Sequence, residues 1–189
     1  MPDGVKITLT GQKEWAAKMR QFGKVGEEEV KKANLATGFQ ILTEWRLNLR
    51  NQKVVDTGGT ISSTHLENRS EGASTQMWDK PGVAWSGEHR INAPIYHDGD
   101  VLVGSAAWGA IIAEFGRAAG SKMPPPDALK PWLRRHGLPE GLAYVVARNI
   151  AERGIAPRPS LVPAVEVNRD NHQRNQTRAL QRAAERVSK

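Results

Sequence analysis

The sequence predicts an α+β fold: a small, mostly antiparallel sheet packed on a long helix, with a helical-hairpin insert and a C-terminal helix. Three observations predict it. Val5–Thr10 alternates Val5, Ile7 and Leu9 against Lys6, Thr8 and Thr10, the period of a half-buried strand. From about Gly26 to Asn51 apolar residues recur at helical spacing with few breakers. Val101–Val103 is a short β-branched and apolar run that feeds through Gly104-Ser105 into Trp108, Ile111, Ile112 and Phe115, and Gly116 closes it. That last stretch is the most hydrophobic in the chain, so it is expected to be core and subunit contact.

The chain has 189 residues, 39% hydrophobic and 25% charged, which fits one soluble globular domain spanning 1–189. Cysteine is absent, so disulfides, thiolate zinc sites and a cysteine nucleophile are excluded. No run approaches the ~18–20 apolar residues of a membrane span. The opening MPDGVKITLTG lacks a basic-then-apolar leader, so the chain is expected to stay in a cytoplasm unless a particle carries it out. The net charge of +7 raises the expectation of a polyanionic partner.

After the first strand, Gln12–Phe22 reads as a short helix with Trp15, Met19 and Phe22 on one face, broken by Gly23 and Gly26. The long helix follows. Glu27, Glu28 and Glu29 favour its start and Arg46 and Arg50 its end. Leu35, Phe39, Leu42 and Leu49 mark its stripe, widened by Ile41 and Trp45. Val54–Gly59 is a turn-rich exit, and Ile61–Arg69 reads as a strand. The stretch 73–104 reads as irregular strands, with Asp98-Gly99 as a hairpin turn between Ile95-Tyr96 and Val101–Val103.

Arg117–Pro126 is a proline-rich loop. Asp127 is expected to cap a helix over Ala128–His136, with Trp132 and Leu133 on its apolar side and Gly137 as its stop. Gly141–Arg153 is a second helix, expected to face Leu142, Val145, Val146 and Ile150 inward; together the two form an insert at about 126–154. Pro157-Arg158-Pro159 is stiff and extended, and Pro163 suits the first turn of a last, mostly polar helix over about 163–187. Its apolar positions are Ala164, Val165, Leu180, Ala183, Ala184 and Val187.

The last helix spaces Arg174, Arg178, Arg182 and Arg186 by four, which places them along one face. Such a ladder suits phosphates or an acidic partner, and equally a solvated helix face. His65, His89, His97, His136 and His172 show no metal-ligand spacing, and Asp98 and Asp100 belong to a turn more readily than to a calcium loop. Serines lack a G-x-S-x-G setting, and no phosphate-cradling glycine motif is present. No catalytic, cofactor or metal residue is assigned. Trp15, Trp45, Trp108 and Trp132 read as core or interface anchors; Trp78 and Trp85, on a loop-rich stretch, suit a protein contact.

Four stretches in order resemble the head–tail joining proteins (neck, tail-completion or putative tail-component proteins) of long-tailed bacteriophages. They are Val5–Arg50; Val55-Asp56-Thr57-Gly58 with Ile61-Ser62; Val103-Gly104-Ser105 leading to Glu114-Phe115-Gly116, similar to V-G-[ST]…Y-A…-E-[FY]-G; and Pro157-Arg158-Pro159-Ser160-Leu161-Val162-Pro163-Ala164, similar to P-R-P-F-L-x-P-A. Pro126–Gly154 resembles helices that some members insert. Ala110 or Trp108 stands where an aromatic is usual, Ser160 replaces Phe, and 73–100 is longer than in a minimal member.

The resemblance implies a non-enzymatic α+β virion subunit that forms a ring at the head–tail junction, six copies by tail symmetry or twelve by portal symmetry. It would complete the neck or terminate the tail tube. Its partners would be itself, other neck, portal-side or tail-tube proteins, and genomic DNA passing through the lumen without sequence specificity; no membrane and no cofactor are implied. Assembly would take place in the host cytoplasm. Trp45, Trp78, Trp85, Glu114, Phe115 and Arg158 are the expected subunit or partner contacts. Arg174, Arg178, Arg182 and Arg186 are the expected contacts to DNA or a partner. Two readings compete: a small basic nucleic-acid-binding protein using the arginine helix, and an enzyme with a site among His97, Asp98 and Asp100.

Overall fold

A computed structural model describes residues 11–52, 59–70, 73–77, 99–105 and 107–189. The architecture is α+β and mostly helical. In chain order it has α1 (Gln12–Asn51), α2 (Gly59–Ser62), β1 (Thr64–Ser70), β2 (Ala73–Met77), β3 (Val101–Ser105), α3 (Trp108–Phe115), α4 (Pro126–Arg135), a 3-10 turn (Glu140–Leu142), α5 (Ala143–Arg153) and α6 (Leu161–Ser188). The expected strand Val5–Thr10, the Val54–Gly58 part of the turn, Trp78, Trp85, His89, His97 and Asp98 lie outside the described residues.

The expected short and long helices are one helix of 40 residues. Neither Gly23 nor Gly26 takes a left-handed conformation, and the helix runs through both. Each glycine costs about 1 kcal/mol against alanine, too little to interrupt a helix held along much of its length by packing. At ~1.5 Å per residue α1 is about 60 Å long.

Among the described residues the sheet is three-stranded and antiparallel in the order β2-β1-β3. Leu66 of β1 lies opposite Met77 on one side and Val103 on the other. The strand expected over 61–69 begins only at Thr64. Ahead of it the hydroxyls of Ser63 and Thr64 donate back to the carbonyls of Thr60 and Ile61, at 2.8 and 2.7 Å, which holds a helical turn in place of extended chain.

The sheet packs against the C-terminal half of α1. Leu42, Trp45, Leu49, Leu66, Ala110 and Ala164 form the buried cluster, with Val101 and Val103 packed on it. Gly38 permits the approach: a Cβ there would sit 2.6 Å from Val101 Cγ1 and 2.7 Å from Leu66 Cδ1. The core stripe of α1 is therefore Gly38, Leu42, Trp45 and Leu49, and Phe39 turns outward, contrary to the expected stripe.

The expected role of Val101–Gly116 as the packing centre is corrected in the same way. Its strand joins the core, but α3 buries Ala110, Ala113 and Glu114 while Ile111 and Phe115 are exposed. Small side chains let α3 lie close, and the large ones face out.

Helix α6 runs antiparallel to α1. Trp45 and Asn48 meet Ser160 at its start, Thr37 meets Asn175 midway, and Glu29 meets Arg182 near its end. The seam is built of small and polar residues. Ala164, Asn168, Ala179 and Ala183 are buried on α6. Val165 and Leu180, expected among its apolar contacts, are exposed.

The insert forms as a hairpin, with details that differ from expectation. Asp127 makes no cap; it pairs with Lys130 at 2.6 Å, and Pro125 and Pro126 open α4. Leu133 is fully buried, and the Trp132 ring stacks on His136 at 4.4 Å. On α5 the buried residues are Ala143 and Ala147, whereas Val145, and Leu142 in the 3-10 turn before it, are exposed. The hairpin joins the body at a two-residue bridge: Arg117 N donates to Ile155 O at 2.8 Å, and Ile155 N donates to Arg117 O at 2.9 Å. Gly116 and Gly154 flank the bridge at φ +70° and +74°, and a Cβ on Gly154 would lie 2.2 Å from Arg117 O.

Gly154→Ala is expected to cost about 2–3 kcal/mol, from left-handed strain and the backbone clash. Gly23→Ala, with open space around it, is expected to gain about 0.5–1 kcal/mol. Urea midpoints of the two variants check both signs.

Candidate functional site

A helix leaves its first backbone N–H groups without intrahelical partners. In α6 these are served by a side chain from another element. Glu114 Oε2 accepts from Ser160 N at 2.7 Å, Leu161 N at 2.9 Å and Ser160 Oγ at 3.2 Å; Oε1 accepts from Val162 N at 2.9 Å. A carboxylate at a helix N-terminus also faces the positive end of the helix dipole. Burial on its own pushes the Glu114 carboxyl up, and the backbone donors of Ser160, Leu161 and Val162 with the Ser160 hydroxyl outweigh it, so the group sits below its usual range.

The third and fourth resemblance stretches meet at this carboxylate. Trp45 Nε1 donates to Ser160 Oγ at 3.0 Å, Asn48 Nδ2 to Ser160 O at 3.0 Å, and Gln52 Nε2 to Pro159 O at 2.7 Å. Arg158 N donates to Ala113 O at 2.6 Å. One node thus fixes the end of α1, the end of α3 and the start of α6.

Two expected interface residues therefore have internal roles. Trp45 is buried, with its indole N–H satisfied by Ser160, and Glu114 is a buried cap; neither lies at a surface of the chain. Phe115, the next residue, points the other way and is 75% exposed. Arg158 is exposed, and its guanidinium reaches Gln52 O at 3.4 Å. Ser160 carries four of these hydrogen bonds; its signal in the sequence is a small hydroxyl residue directly before a helix that opens Leu-Val-Pro.

At the far end of the helix pair sits a second carboxylate. Glu29, with its side chain 7% exposed, accepts from Arg182 Nε at 2.8 Å and Arg186 Nη1 at 3.0 Å, and from Lys32 at 3.1 Å. The Arg182 hydrogen bond, then that of Lys32, lowers its carboxyl to about 2 against an opposing push from burial. The arginine ladder thus divides. Arg182 and Arg186 clamp α6 to α1. Arg174 donates to Asn171 Oδ1 at 2.6 Å, and Arg174 and Arg178 are exposed.

Among the described residues no group of three or more His, Asp or Glu side chains is placed to hold a metal ion, and no helix is long and apolar enough to cross a membrane. No family model matches the chain, and neither does any curated protein or solved structure.

Both carboxyls titrate lower in the folded chain than in the unfolded one. Their stabilisation is therefore fully present above the ordinary carboxyl value of 4.5 and is lost as pH falls, through about 2 for Glu29. Glu114→Gln is expected to cost about 2–3 kcal/mol at pH 7. Urea titrations at pH 7, 4.5 and 3 should show a stability loss on acidification that is smaller in Glu114→Gln and in Glu29→Gln than in the wild type.

Proposed function

We propose that the chain is a structural subunit of a tailed-phage virion that closes into a ring at the head–tail junction, where it completes the neck or terminates the tail tube and leaves a lumen for DNA. One observation carries the reading. Large apolar side chains are exposed on separate elements: Phe115 on α3 at 75%, Tyr144 on α5 at 57% and Val167 on α6 at 66%. Different apolar positions on separate elements suit the head-to-tail contacts of a ring, in which each copy presents two unlike surfaces.

The order of the four resemblance stretches supports the same reading. Their third and fourth members share a physical reason for occurring together, because Glu114 of one caps the helix that follows the other. Phe115 and Arg158 lie beside that node on the outside and are the contacts we assign to neighbouring subunits or rings. The role is one of assembly, with no catalytic step. The rival reading, direct nucleic-acid binding by the arginine helix, loses support because Arg182 and Arg186 are engaged by Glu29. Arg174 and Arg178 are the pair left to meet DNA in the lumen or a partner.

Native mass measurement is expected to give six or twelve times the 20.8 kDa of one chain; a single-chain mass at all concentrations sinks the proposal. The joint replacement R174Q/R178Q should leave the melting temperature unchanged and lower the yield of DNA-retaining particles. R182Q should lower the melting temperature.

A further inference from the structure

The seam on α1 that receives α6 continues beyond the pairing of Arg186 with Glu28 and Glu29. Trp15, Met19, Phe22, Gly26, Glu29 and Ala33 follow one another at spacings of four, three, four, three and four, the pattern of a helix–helix seam. Helix α6 covers its later part, with Arg186 pairing at Glu28 and Glu29. Residues 12–24 of α1 extend past that point by about 20 Å at ~1.5 Å per residue. On this overhang Trp15 is 67% and Met19 48% exposed, and Phe22 is half-buried. A seam of this spacing fits another helical surface.

A groove suited to receive it lies on the same molecule, out of its own reach. Phe39, Gln40, Thr43 and Glu44 of α1 and Val167, Asn168 and Asn171 of α6 line an open groove of about 420 Å³. It faces away from the sheet, because Phe39 lies about a quarter-turn and Thr43 about 140° around the helix from Gly38. Two adjacent helices with exposed Phe39 and Val167 between them form the seat that an amphipathic helix occupies through anchors at i, i+4 and i+7.

Charge opposes self-pairing of overhangs and leaves the groove slightly negative. The segment 12–24 carries Lys13, Lys18, Arg20 and Lys24 against Glu14, a balance of +3. Two such segments side by side would repel. The groove carries Glu44, and Asp170 shares its side of α6 three residues after Val167, against Arg174, which is bound to Asn171.

We infer that the α1 overhang of one copy docks, through Trp15, Met19 and Phe22, into the Phe39–Val167 groove of the next copy. Donor and acceptor surfaces differ, so the contact is head-to-tail and propagates into a ring. This rests on the ring reading above and names its contact.

The cysteine-free chain makes the test direct. Val167 lies beside Phe39, twenty residues from Met19, so the two positions are about 30 Å apart within one chain. A disulfide between them needs Cα atoms ~4.4–6.8 Å apart and so can only join two copies. Oxidised M19C/V167C is expected to give a ladder of covalent oligomers, with peptide mapping linking positions 19 and 167. The variants W15E/M19E and V167R, all at exposed positions and with unchanged circular dichroism, should each be monomeric. Mixed, they should form a one-to-one pair that grows no further. Links between two copies of position 19, or wild-type oligomer mass in either variant, overturn the docking while leaving the ring reading intact. A wild-type chain that is monomeric throughout overturns both.

Discussion

The Glu114 carboxylate at the start of α6 is the interaction on which the arrangement depends. Three backbone N–H groups and one hydroxyl converge on it. Removing a single acceptor would leave several buried donors unmet, a larger loss than an ordinary cap residue incurs. The geometry it imposes is long-range. With the first turn of α6 fixed against α3, and Ser160 fixed against Trp45, the direction of a 28-residue helix is set. About 32 and 38 Å further along, by ~1.5 Å per residue, that direction delivers Arg182 and Arg186 to Glu29. Each end of the α1–α6 pair is thus held by a carboxylate, and the seam between them relies on alanines and amides.

Much of the architecture was legible in the sequence because its signals are local. The α+β class, the β3 run, the hairpin insert and the last helix follow from periodicity, glycine stops and prolines. The misreadings have non-local causes. Gly23 and Gly26 look like breaks, yet Gly26 lies on the buried face of α1 and the helix runs through both. Phe39 fits the apolar stripe by spacing, but the closest approach to the sheet is at Gly38, which rotates the buried face. The roles of Glu114 and Ser160 require knowing that residues 46 apart in sequence meet. The arginine ladder reads as one unit in sequence, and a single glutamate 153 residues before Arg182 divides it.

The distribution of apolar side chains follows from these constraints. Where two helices are held at their ends and touch through alanine and asparagine, large residues have no place between them. Phe39 and Val167 therefore face outward. The α1–α6 seam is held by small residues and polar pairs, while the larger buried side chains Leu42, Trp45, Leu49 and Leu66 gather where α1 meets the sheet.

The bridge between Arg117 and Ile155 has a consequence for how this architecture can change over time. The hairpin enters and leaves the body at adjacent backbone positions, each flanked by a glycine that no larger residue replaces without strain. The body therefore senses only that the loop is closed. Closing a longer loop costs little, about 0.6 kcal/mol per doubling of its length. Residues 118–153 can be lengthened, trimmed or exchanged for another hairpin while the Glu114 node and the helix pair stay as they are. The two glycines mark where such a graft would be cut.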